Sequence, residues 1–141
     1  MSTNATDADV QADFDLGRPE DVLALAERFD GEWRNGGFSQ LFANWYPADV
    51  ALVPEGLRLV EAMEIAAVAE AAIAELGGDR SRWRDLGHEA LIKWQEPLGA
   101  RLRDLDNMAS AHFDALTAAI VRYERELAKR TGDPFIDDED E

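Results

Sequence analysis

Residues 35–46 read NGGFSQLFANWY. The most permissive backbone in the chain, Asn35-Gly36-Gly37, is followed at once by its densest group of aromatics. Upstream, Pro19 stands where a first helical residue would, and Glu20 and Asp21 complement the positive end of a helix dipole. Val22, Ala26, Phe29 and Trp33 then recur at helical spacing and define one apolar stripe. This predicts a helix that stops at Asn35-Gly36-Gly37, where positive φ is accessible at little cost. Phe38, Leu41, Phe42 and Trp45 fall at i, i+3, i+4 and i+7, which predicts a short second helix ended by Pro47. The stretch therefore reads as a helical corner. Asn35 is expected to cap, the two glycines to allow the reversal, and Phe38, Phe42 and Trp45 to lock it, each buried aromatic contributing roughly 2–3 kcal/mol. Gln40 and Asn44 are expected to hydrogen-bond nearby backbone.

The same periodicity runs through the rest of the chain. Pro54 starts a third helix through Leu57, Val60 and Met63, which either breaks near Met63 or runs on into the next. Ile65, Val68, Ala69, Ala72, Ile73 and Leu76 make a fourth, stopped by Gly77-Gly78. Ser81 is placed to cap a helix carrying Trp83, Leu86, Ala90, Leu91 and Trp94, and Pro97 interrupts it. Leu98, Leu102 and Leu105 mark another segment. Phe113, Leu116, Ile120, Tyr123 and Leu127 mark a last, long helix, as a buried seam or a seam for a partner helix. No run alternates convincingly as a strand; DVALV (49–53) is cut short by Pro54. The expected fold is all-α, one compact domain of about six helices over residues 18–131, with a flexible acidic N-terminal arm at 1–17 and an acidic disordered tail at 132–141.

The chain has 141 residues, 46% of them hydrophobic, and no cysteine, which excludes disulfides, thiolate metal sites and cysteine nucleophiles. Its N-terminus is polar and acidic, unlike a signal peptide, and no apolar run reaches the roughly 18 residues a membrane span needs. A cytoplasmic location is expected. Net charge is −16, distributed as −11 over residues 1–75, +1 over 76–130 and −6 over 131–141. Such a surface repels nucleic acid and anionic membrane and attracts basic partners, though acidity also simply keeps a protein soluble.

Catalytic motifs are missing. His88 and His112 lack the partners of a zinc-protease or di-iron pattern. DLDN at 104–107 has Met108 and Ala109 where a calcium loop needs a ligand and a glycine. Gly36-Gly37 has no phosphate-loop lysine, and no nucleophile elbow occurs. No metal or cofactor is expected. The basic residues Arg80, Arg82, Arg84, Lys93, Arg101 and Arg103 are interleaved with Asp79, Asp85, Glu89 and Glu96, so internal salt bridges or docking of the acidic tail fit better than direct nucleic-acid binding.

Within FDGEWRNGGFSQLFANW (29–45), the set Glu32, Asn35, Gly36, Gly37, Phe38, Gln40, Phe42 and Asn44 resembles the signature of the DNA-mimic-protein family, small acidic bacterial proteins carrying a domain of unknown function. A looser second match is Leu105 and Asp106, then Phe113, in LRDLDNMASAHFDAL. The resemblance implies an all-α fold without cofactor or known active site. It further implies that some relatives act as dimers whose carboxylates imitate DNA phosphates. The signature itself looks structural, and no motif carries over the mimic carboxylates.

The carboxylates expected to meet a partner come from the acidic half: Glu20, Asp21, Glu27, Asp30, Asp49, Glu55, Glu61 and Glu64. The leading expectation is an acidic interaction protein occupying a basic, DNA-binding partner such as a transcription regulator. The alternatives are an immunity or antitoxin-type protein that neutralises a basic toxin or nuclease, and an enzyme with an unrecognised carboxylate site. A homodimer is a softer expectation, resting on four tryptophans and the 113–127 seam.

Overall fold

The structure is a computed structural model describing residues 12–131. Helices occupy most of this range: α1 (Pro19–Asn44), α2 (Pro47–Val50), α3 (Val53–Leu59), α4 (Met63–Glu75), α5 (Trp83–Ile92), α6 (Pro97–Ser110) and α7 (Phe113–Thr131), with a 3-10 turn at Arg80–Arg82. The four-residue α2 is a single turn, so six longer helices build the domain. No strand occurs among the described residues. The DVALV stretch lies instead across the end of α2 and the start of α3.

Prolines begin four of these helices because their fixed φ suits the first turn and their missing N–H is not needed there: Pro19, Pro47, Pro54 and Pro97. α1 is the central element, packed by α3, α5, α6 and α7, while α4 covers α3 and α6. Val22, Leu25, Ala26 and Phe29 are buried along its first part, and Phe38, Leu41, Phe42 and Ala43 along its second. The α7 seam is internal: Phe113, Leu116 and Ile120 are buried and Tyr123 half-buried against the same core. Gly87 sets how close α5 comes to α1. A Cβ there would lie 2.5 Å from the Ala43 nitrogen and 2.8 Å from the Phe42 carbonyl carbon.

The structure decides four local expectations. First, the expected break is present: two helical segments, counted together as α1 from Pro19 to Asn44, meet at one non-helical residue, Gly37, at φ 74° and ψ −167°. The corner is a kink, and Asn35 is exposed. Second, Asp79 rather than Ser81 caps the turn before α5: its carboxylate accepts from the Ser81 N–H at 3.2 Å and from the Ser81 hydroxyl at 2.6 Å. Third, α3 and α4 are separate. Glu61 has φ 69°; its N–H donates to the Arg58 carbonyl (2.8 Å) and the Ala62 N–H to the Leu57 carbonyl (2.9 Å). This pair of bonds is the Schellman closure, here with glutamate where glycine is usual.

Fourth, the N-terminal arm is shorter than 1–17. Phe14 is buried and stacks on Trp45 with centroids 5.7 Å apart, and the Asp13 N–H donates to Asp49 at 2.6 Å. The rest of the arm, 1–11, and the tail, 132–141, lie outside the described residues.

Candidate functional site: the acidic surface and the kink beneath it

The kink is held from α6. Asp106 Oδ1 accepts the Phe38 N–H at 2.9 Å and the Trp33 Nε1–H at 2.9 Å. The first bond satisfies a backbone donor that the break at Gly37 would otherwise strand. The carboxylate is pressed so near that a Cβ on Gly37 would sit 2.5 Å from Asp106 Oδ2. Burial pushes the Asp106 carboxyl above its ordinary value, opposed by the Phe38 and Trp33 hydrogen bonds and the Arg103 charge. Around it Trp33 stacks on Phe113 (centroids 4.1 Å), and Phe29, Phe38 and Phe42 continue the aromatic run. Arg34 lies over the Phe113 ring at 5.1 Å, pairs with Asp30 at 2.7 Å and donates to Thr117 Oγ1 at 3.2 Å. Glu32 accepts a hydrogen bond from the Asn44 side chain. Asn44 thus bonds a carboxylate rather than the nearby backbone expected of it. The Gln40 side chain covers Gly36.

The two stretches singled out in the sequence, 68 residues apart at their hydrogen bond, are therefore one structural unit. Residues 15–133 match the model of the DMP19-like protein family. The chain belongs to that family. No curated protein and no solved structure matches it. In this DMP19-like domain Gly37 bends α1, and Asp106 ties Phe38 and Trp33 to α6.

The acidic half presents carboxylates to solvent. Glu20, Glu27, Glu55, Glu61 and Glu64 are exposed. Asp21 is half-buried and accepts the Asp15 N–H at 2.8 Å, and Asp30 is half-buried in its pair with Arg34. Asp49 does not belong to the surface. It is 3% exposed, and burial, with the charge of Asp13, raises its carboxyl above the ordinary range against the N–H groups of Asp13 and Phe14 and the Arg28 charge. Its work is to anchor the 12–17 segment.

Sequence reasoning missed Glu124, because it falls in the stretch whose total charge is balanced. α1 and α7 run antiparallel: Arg34 meets Thr117, and seven residues back on α1 and on along α7, Glu27 is within electrostatic reach of Glu124. Partial burial first, then Glu124, raises the Glu27 carboxyl. A like-charged pair across a helix seam is relieved by a cation placed between its members, so it favours an incoming guanidinium or ammonium group. The arginines of residues 80–103 are largely engaged. Arg80 lies over Trp83 (5.6 Å), Arg84 over Tyr46 (5.0 Å) and Arg103 over Trp94 (4.1 Å), while Arg101 pairs with Glu75.

Among the described residues no group of three His, Asp or Glu gathers that could hold a metal ion. Glu27, Asp49 and Asp106, the carboxyls raised above their ordinary values, line none of the described grooves. No described helix is long and apolar enough to cross a membrane.

Proposed function

We propose that this protein is an acidic interaction protein that occupies a basic DNA-binding partner in place of duplex DNA. The observation that carries this reading is that Glu27 and Glu124 lie within electrostatic reach across the α1–α7 seam, on a chain whose acidic half also exposes Glu20, Glu55, Glu61 and Glu64. Carboxylates fixed on rigid helices supply what a row of phosphates supplies: closely spaced negative charge whose mutual repulsion a basic groove relieves. Membership of the DMP19-like family is consistent with it. The raised carboxyls serve packing or sit on a helix seam rather than in a cleft, which supports an interaction role over a catalytic one.

The test is a competition titration of purified basic DNA-binding proteins from the source genome, each loaded with a labelled duplex. One of them is expected to release the duplex as this protein is added, with affinity falling steeply as salt rises. Replacing Glu27 and Glu124 together by glutamine is expected to weaken that binding about 5–30-fold, on the order of 1–2 kcal/mol. Binding that ignores duplex competition and salt would overturn the reading. Salt-sensitive binding to a basic nuclease alone would move the protein to the immunity class.

A further inference from the structure

A groove lies between the end of α3 and the last turns of α7. Leu59, Tyr123, Arg122 and Arg130 line it, with Glu61 and Glu126 alongside. Leu59 is 40% exposed, an apolar side chain left half uncovered. Arg122 and Arg130 make no ion pair among the described residues. The final turns of α7 hold Arg122, Arg125, Lys129 and Arg130 against Glu124 and Glu126, a local excess of positive charge on a chain of net −16.

We infer that the occupant is the chain's own C-terminal segment, residues 132–141, returning antiparallel along α7. Four observations point to it. The segment, GDPFIDDEDE, leaves α7 one residue beyond Arg130, directly beside the groove. Gly132 and Pro134 suit a reversal and forbid a further turn of helix. Phe135-Ile136 is its one apolar pair, and an acidic run with no base follows. The lengths also agree. An extended residue advances roughly 3.3 Å and a helical one about 1.5 Å, so each segment residue passes about two positions of α7. A chain that reverses at Pro134 then brings Phe135 and Ile136 level with the span from Arg130 to Glu126, beside Leu59 and Tyr123. It brings Asp137 and Asp138 level with Arg125 and Arg122. Glu61 and Glu126 repel the acidic run and direct it to the arginine side. The contact covers cations of α7 and makes that face more negative, which disfavours nucleic acid. It holds whatever partner the acidic half takes.

The absence of native cysteine makes a clean experiment possible. A nitroxide is attached to the full chain through Asp140→Cys, and amide signals are compared before and after its reduction. Signals of Tyr123, Glu126 and their α7 neighbours, and of Leu59 to Ala62, are expected to lose most of their intensity. The loss is expected to shrink at high salt and to vanish in the Phe135→Ala, Ile136→Ala double variant and in Arg122→Glu. Undiminished signals, a loss spread evenly over the surface, or a loss centred on Leu91 to Trp94 would each overturn the inference. So would a loss that appears when the nitroxide and the isotope label are on different molecules, since the occupant would then be a second copy.

Discussion

Gly37 and Glu61 hold almost the same φ, 74° and 69°, yet one is glycine and the other a charged, β-carbon-bearing residue. The difference is their surroundings. At Gly37 ψ is −167°, a region essentially reserved for glycine, and the space a Cβ would take is filled by Asp106. At Glu61 the side chain points into solvent and the Schellman bonds of Glu61 and Ala62 carry the turn, so only the modest strain of a left-handed residue remains. Positive φ alone does not demand glycine; positive φ beside a packed carboxylate does.

Gly37→Ala should break the comparison most severely. It combines a forbidden backbone region with a 2.5 Å collision against Asp106 Oδ2, and neither can relax while Phe38 and Trp33 hold that carboxylate. A loss of roughly 3–5 kcal/mol is expected, read as a fall in the denaturant midpoint with little change in slope.

Asp106→Ala leaves the kink its glycine and removes what pins it. The Phe38 N–H and Trp33 Nε1–H would lose their partner, for a loss of about 2–4 kcal/mol in thermal or chemical unfolding. Asp106→Asn keeps an acceptor and should lose less, with a pH signature. Burial makes the folded state hold the Asp106 proton more tightly than the unfolded state. That contribution is fully present below the ordinary aspartate value of 3.8 and is lost as pH rises through the raised folded value. The advantage of the native chain over Asp106→Asn should therefore shrink as pH rises through that window. An advantage that grows with pH would show that the charged form is favoured by its hydrogen bonds.

Glu61→Gly is the smallest effect and has the opposite sign. Relief of left-handed strain, less the entropy of a glycine, should stabilise the chain by roughly 0.5–1 kcal/mol, seen as a small rise in Tm. If the exposed Glu61 carboxylate meets a basic partner, the same variant binds it less well while folding better, and that divergence separates its two roles.

Much of the fold was legible because periodicity and punctuation agree. Pro19, Pro54 and Pro97 lie at helix starts, Gly77-Gly78 follows the end of α4, and the last seam faces inward from Phe113 to Tyr123. The break at the glycine pair was legible too, but not its geometry. Gly37 alone leaves the helical region, and the donor it strands is satisfied 68 residues away. Phe14 was assigned to the arm because a single aromatic in a polar stretch carries no period. The acidic list contained Asp49 because charge sums treat every carboxylate as exposed, and it omitted Glu124 because they average over neighbours that point elsewhere.

By itself, the sequence determined the helical class, most helix starts, the core stripes and the −16 charge, since each depends on residues close together in the chain. Only the tertiary structure decided which carboxylates brace the fold and which face solvent. Asp49 is a buried acceptor and Asp106 a half-buried one, while Glu27 feels the charge of Glu124 across a seam. Burial and the approach of distant charges set a carboxylate's role, and both arise from which helix lies beside which, a property no local pattern contains.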